Sequence, residues 1–184
     1  MNGFSQALRE DFGQDLPVQA AAYLHQIQVG SERMGALIDG LLHLSRSTQG
    51  AMERRGINLS KLAEEVRKEL EESEPGRRVT WHIQPGLAAR GDARMLLVVL
   101  RNLLGNAWKY TARQPVPEIR LDAVQHDGLR CFRVADNGAG FDMAHAAKLF
   151  QPFQRLHRQD EFPGIGVGLA TVQRIVRRHG GEIS

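Results

Sequence analysis

The chain of 184 residues contains one cysteine, Cys131, which excludes an intramolecular disulfide framework and any multi-cysteine zinc site. Its place in the alternating stretch Leu129–Val134 suggests a small apolar residue facing a core. No run of about 18 apolar residues occurs, and the amino end lacks the basic-then-apolar order of a signal peptide. A chain without a membrane segment, located in the cytoplasm, is therefore expected. Charge of one sign is also scarce, since 24 basic and 21 acidic residues leave a net +3. The mild basic cluster at Arg174, Arg177, Arg178 and His179 reads as a solvated helix face, so no nucleic-acid partner is expected. What remains, 42% hydrophobic and 24% charged residues, suits one compact domain with an appendage.

The appendage is helical. From Pro17 to about Thr48 the apolar residues Tyr23, Leu24, Ile27, Met34, Leu37, Ile38, Leu41, Leu42 and Leu44 recur at steps of three and four, with proline in a first-turn position. Phe4, Leu8 and Phe12 lie four apart, and Gly13-Gln14-Asp15 reads as the turn of a hairpin. An apolar stripe of that length needs more partner surface than one short helix offers, so a homodimer through a four-helix bundle is expected, with residues 1–50 as the hairpin domain.

A second domain is read over residues 57–184. Ser60 is a candidate helix cap ahead of Leu62, Val66 and Leu70, and Arg78–Ile83 alternates as a strand ending at Pro85-Gly86. Gly91-Asp92 introduces an apolar helix from Ala93 to Tyr110. Ile119–Val124 and Leu129–Val134 form a hairpin across Gln125–Gly128. Asp142–Phe150 is a short helix, 154–163 a polar loop, and Gly166–His179 a last helix stopped by Gly180-Gly181. That order describes an α+β sandwich, a mixed sheet with helices on one face.

Four segments carry the chemistry. On the helix ending at Tyr110, Asn102, Asn106 and Lys109 share one face, which taken alone could be the wet side of an apolar helix. Asp136 follows a strand and precedes Gly138 and Gly140; taken alone, Asp-Asn-Gly is also a good turn. Phe150-Gln151-Pro152-Phe153 comes third. Gly164, Gly166 and Gly168 then open a helix whose free amides suit phosphate, though such a run can be only a flexible loop. A dinucleotide fold is rejected, because no strand precedes these glycines with a following acidic residue in a βαβ unit.

In this order the segments resemble the N, G1, F and G2 boxes of the ATP-binding domain of sensor histidine kinases, within the wider gyrase-like ATPase superfamily; the helices resemble weakly those of phytochrome-like kinases. The resemblance covers most of the chain. It implies a nucleotide pocket made by Asn102, Asn106, Lys109, Tyr110, Asp136, Gly138, Gly140, Phe153, Gly164, Gly166 and Gly168. Asp136 is then the adenine reader, because a carboxylate can accept from the exocyclic amine that guanine lacks at that position. Asn106 would hold Mg2+ bridging the phosphates, with Asn102 and Lys109 near the phosphate tail and Tyr110 bordering the pocket. Arg155, His157 and Arg158 are further candidates for reaching phosphate.

The family carries its phosphoacceptor histidine in a box on the first helix of the hairpin. Neither His25 nor His43 has the acidic, basic and proline residues of that box, so both read as ordinary helix residues and no catalytic histidine is assigned. The chain is accordingly expected to begin just past the phosphoacceptor, and to stop short of a terminal hairpin, leaving a sheet edge unpaired. The implied activity is ATP–Mg binding and, in an intact protein, transfer of the γ-phosphoryl group to a histidine for relay to a response-regulator receiver domain, under an upstream sensor domain. The alternative is a nucleotide-binding scaffold or a serine-directed kinase of the anti-sigma type. Gyrase-like hydrolysis would need a glutamate base before the first asparagine, where Val99-Leu100-Arg101 stands.

Overall fold

The computed structural model describes residues 12, 16–17, 19–27, 29–31, 35, 51–156, 161–162 and 164–184, with the side chain of residue 147 excepted. The chain divides into two compact units, Met1–His43 and Leu44–Ser184. In the first, residues 19–27 and 29–31 are helical, and the amides of Ala20 and Ala21 donate to the Pro17 carbonyl, which places the proline at the helix start as expected. The segments 1–11 and 36–50, on which most of the hairpin reading rests, lie outside the described residues.

The second unit runs β1 (Arg55–Asn58), α1 (Leu59–Ser73), β2 (Thr80–Ile83), β3 (Ala88–Gly91), α2 (Ala93–Tyr110), β4 (Glu118–His126), β5 (Leu129–Asp136), a short 3-10 turn (Met143–Lys148) and α3 (Gly168–Arg178). This is an α+β architecture. β2 pairs parallel with β4, and β4 antiparallel with β5, in one mixed sheet; β1 and β3 pair antiparallel in a second.

Two four-residue strands, β1 and β3, were not expected. Their sequences, Arg-Gly-Ile-Asn and Ala-Ala-Arg-Gly, carry little β preference, and they are strands because each supplies the other's backbone partner. The cap of α1 is also different. Asn58 Oδ1 accepts from the Lys61 amide at 2.9 Å, whereas Ser60 Oγ donates to the Gln84 carbonyl and accepts from the Leu87 amide, tying α1 to the turn after β2. Cys131 is half-buried rather than a core residue, with Sγ 3.8 Å from the Leu129 carbonyl; among the described residues β5 is the edge strand of its sheet.

α2 is the central element. Its stripe Leu100, Leu104, Ala107 and Trp108 is buried against α1 and the sheet residues Ile119 and Leu121. A second stripe, Met95 and Val99, packs on Val172 and Ile175 of α3. With 3.6 residues per turn, Asn102 and Asn106, each seven residues after Met95 and Val99, and Lys109 beside them continue the α3-facing side of the helix beyond its apolar stretch. That side of α2 is apolar where it meets the body of α3 and polar where it meets the start of α3 at Gly168.

Candidate functional site

The site lies at the end of α2 that ends in Tyr110. Asn102, Asn106, Lys109 and Tyr110 are each half-buried there, neither in a core nor in full solvent. The Asn102 carboxamide nitrogen donates to the Val98 carbonyl at 2.8 Å, which turns its oxygen outward. That oxygen meets α3: a Cβ added at Gly168, the first residue of α3, would stand 2.5 Å from it. A Cβ at this position would have to displace the asparagine oxygen that occupies the space.

The same kind of contact joins the other segments. A Cβ at Gly138 would lie 2.6 Å from Asp136 Oδ1 and 2.7 Å from the Tyr110 carbonyl oxygen, and that carbonyl accepts from the Ala139 amide at 3.2 Å. A Cβ at Gly164 would be 3.4 Å from Lys109 Nζ, which also sits 4.3 Å from the centre of the Tyr110 ring. At Gly166 a Cβ would clash with the Gln154 carbonyl at 2.6 Å, while the Gly166 carbonyl accepts from the Phe153 amide at 2.9 Å. Contacts thus pair members of all four segments: Tyr110 with Gly138, Lys109 with Gly164, Asn102 with Gly168, and Phe153 with Gly166. Asn106 lies between Asn102 and Lys109 on the same helix face.

Backbone conformation explains further members. Gly140, Gly164 and Gly166 have φ of 62°, 143° and 80°, which residues with a Cβ adopt only with strain. Phe153 holds φ 65° without being glycine, and it does so where its amide binds Gly166.

Asp136 presents its carboxylate at the end of β5. Oδ1 accepts from the Gly138 amide at 2.9 Å, closing an Asx turn that points the second oxygen away from its own backbone. By accessible area the residue is exposed, yet desolvation by the surrounding protein raises its pKa from the ordinary aspartate value, the Gly138 amide opposing weakly. Both hold for a carboxylate in the mouth of a cleft, where atoms crowd it on one side only; solvent moderates the shift.

Sequence reasoning did not single out three supporting residues. Asn137 clamps the strand before it, accepting from the Glu118 amide at 2.9 Å and donating to the Val116 carbonyl at 2.8 Å. Phe162 is only 5% exposed and meets Tyr110 edge-on, with ring centres 5.0 Å apart. Arg113 places its guanidinium 5.2 Å over the Phe162 ring. Asn137 was signalled by its place in Asp-Asn-Gly; the other two have no periodic pattern around them. Arg155, a candidate phosphate ligand, has its guanidinium on the Phe162 carbonyl, and His157 and Arg158 lie outside the described residues. Arg101 does not line the site, since it forms a two-pronged ion pair with Glu69 of α1 at 2.6 and 2.9 Å.

Two hollows of about 470 and 490 Å³ lie elsewhere, beside His82, Arg120 and Asp122 and at Gly180–Ile183, and neither includes a residue of the four segments.

Residues 91–184 match the family described as histidine kinase-, DNA gyrase B- and HSP90-like ATPases. The chain belongs to this family. Members similar to it include cyanobacterial phytochrome A of Nostoc sp., 29% identical over 182 residues, and the circadian input-output histidine kinase CikA of Synechococcus elongatus, 33% identical over 189 residues. These alignments cover 98% and 97% of the chain but 23% and 24% of those proteins, so the chain spans about a quarter of the length of the relatives it matches. Among solved structures, full-length ShkA in complex with AMPPNP superposes with a TM-score of 0.58 at 25% identity, over 97% of this chain and 38% of that one. The family's sensor kinases are thus similar to the chain along nearly all of its length, including residues before the matched domain.

No helix among the described residues is long and apolar enough to cross a membrane.

Proposed function

We propose that the second unit binds ATP with magnesium and is the catalytic part of a two-component sensor histidine kinase. The observation that carries this is the convergence of four sequence segments on one cleft by direct packing, with a carboxylate at one end and a glycine-flanked helix start at the other.

Asp136 accepts from the adenine amine, and Gly138 and Gly140 let the backbone approach the base. Lys109 offers a point charge to the terminal phosphate. The backbone of Gly164–Gly168 and the start of α3 bind phosphate oxygens through free amides and the helix dipole. Asn106 supplies a hard carboxamide oxygen, which suits magnesium; bound there, the ion would neutralise phosphate charge while keeping waters and phosphate oxygens in its shell. In the intact protein a histidine nitrogen attacks the γ-phosphorus, the bond to the β-phosphate oxygen breaks, and ADP leaves. The phosphoryl group then passes to a response-regulator receiver domain. Homodimerisation through the first unit, sensing by an upstream domain and a cytoplasmic location belong to the same proposal.

The reading is supported by the names of the relatives, several of which are sensor kinases, and by a structural neighbour described in complex with AMPPNP. Calorimetric titration of the chain with ATP, with and without magnesium, tests it. Micromolar-range binding that Asp136→Asn abolishes is expected. A folded chain with no affinity for ATP would refute the proposal and leave a scaffold role.

A further inference from the structure

Arg113 belongs to none of the four segments, yet it packs on Phe162, the ring that meets Tyr110. α2 ends at Tyr110 on a firm base: Thr111 is fully buried, its hydroxyl donates to the Ala107 carbonyl at 2.7 Å, and the Arg77 guanidinium donates to that hydroxyl oxygen at 2.9 Å. Two residues later Arg113 lies exposed on the surface, but its side chain turns back. The guanidinium covers the Phe162 ring at 5.2 Å, and Nη2 donates to the Glu161 carbonyl at 3.3 Å. The next carbonyl, that of Phe162, accepts from Arg155. Two successive carbonyls are therefore held by guanidinium groups, one from just past the end of α2 and one seven residues before Phe162, and the Phe162 ring is enclosed by Tyr110 on one side and Arg113 on another.

Gly164 follows two residues after Phe162, within about 7 Å at full extension. At that distance the position of the ring fixes where the glycine segment begins relative to Lys109. Resting on the nucleotide reading above, we infer that Arg113 is a positioning residue for phosphate binding: through Phe162 it latches the chain entering Gly164–Gly168 onto the Tyr110 end of α2. With the latch intact, the segment is ordered before ATP arrives. Without it, ATP binding must also order the segment, and affinity falls by that cost.

Three features separate this from a merely structural role. Arg113 is exposed, so Arg113→Ala should leave the unfolding midpoint of the nucleotide-free chain unchanged. The loss should fall on ATP more than on adenosine, which lacks the phosphates that the glycine segment meets. Phe162→Leu removes no charge and should reproduce the loss, whereas an arginine that merely attracted phosphate through its charge would give no such match.

The experiment is titration of the wild-type chain and the Arg113→Ala, Arg113→Lys, Phe162→Leu and Asp136→Asn variants with ATP and with adenosine, each checked for folding by circular dichroism. A three- to tenfold weakening of ATP binding is expected in Arg113→Ala, the order of one exposed cation–π contact with one hydrogen bond, with roughly unchanged adenosine affinity and partial recovery in Arg113→Lys. Wild-type ATP affinity in Arg113→Ala overturns the inference while leaving the nucleotide reading intact. Equal losses for ATP and adenosine also overturn it. Absence of ATP binding by the folded wild-type chain overturns the reading itself, and the inference with it.

Discussion

The two ends of α2 are built on opposite principles. At its start, Asp92 gathers the polar groups around it. Asp92, 2% exposed, caps the helix by accepting from the Arg94 and Met95 amides, takes the Glu53 amide at 3.3 Å, and pairs with the Arg94 guanidinium at 3.0 Å. Its own amide donates to His179 Nε2 at 3.0 Å, and His179 Nδ1 lies 2.8 Å from the Ile175 carbonyl, which fixes the proton on Nδ1. Arg54 donates to the carbonyls of Arg178 and His179, so β1, α2 and α3 are tied at one node. At the other end, Asn106 and Lys109 are half-buried at a cleft, and Gly105 and Gly140 border open space. The close-packed end makes the fold; the end with unfilled space can accept a ligand. One helix supplies both because its N-terminal turn is rigid enough to aim its C-terminal turn.

Substitutions should therefore separate stability from binding along a single helix. The largest loss of stability is expected for Asp92→Ala, about 2–3 kcal/mol, from the lost cap and the buried amides left without an acceptor. Chemical denaturation reads this as a lower midpoint with an unchanged slope. The same group gives a pH signature. Its pKa is lowered from 3.8 to about 2, chiefly by Arg94, so its contribution is complete above the ordinary aspartate value and is lost as pH falls from about 4 through about 2. The shift of 3.8 − 2 = 1.8 corresponds to about 2–3 kcal/mol as an upper value, because Arg94 is 74% exposed and solvent screens the pair. Acid titration of stability should lose this component in Asp92→Ala.

Gly91→Ala comes next. A Cβ there would stand 2.6 and 2.7 Å from the His179 ring, which must move and give up its bond to the Asp92 amide; about 1–2 kcal/mol is expected by thermal unfolding. Gly168→Ala tests the other end with a comparable clash, but against an asparagine side chain facing the cleft. It should cost less than about 1 kcal/mol of stability and weaken ATP binding severalfold, because Asn102 moves at the cost of its bond to the Val98 carbonyl, whereas His179 leaves the amide of the buried Asp92 without an acceptor. The smallest change in stability is expected for Asp136→Asn, within about 0.5 kcal/mol, since the residue is exposed and nearly isosteric with its replacement. Because burial raises the Asp136 pKa, ATP affinity of the wild-type chain should begin to fall on acidification at a higher pH than for an ordinary aspartate, as protonation removes the acceptor.

Much of this was legible in the residues. α2 runs from Ala93 to Tyr110 as its periodicity and the preceding Asp92 indicate, because a long amphipathic helix with a strong cap depends little on context. The four segments were read as one site through the order in which they resemble the boxes of sensor histidine kinases, and side-chain and backbone contacts join members of each. β1 and β3 could not be read, since four-residue strands containing arginine and glycine exist only through each other. Asn58 and Ser60 are both good capping residues, and only the tertiary turn at Gln84–Leu87 decides between them. Phe162 and Arg113 sit in irregular chain, where burial comes from packing across long separations and leaves no local pattern.

The central claim is that the cleft at the end of α2 recognises adenine through Asp136. The affinities of wild-type and Asp136→Asn chains for ATP and GTP, measured side by side at equal unfolding midpoints, test it most directly. The account predicts that the wild-type chain prefers ATP by at least about tenfold, the worth of one charge-assisted hydrogen bond, and that the preference disappears in the variant. Equal affinity of the wild-type chain for ATP and GTP, or an undiminished preference in Asp136→Asn, would contradict it.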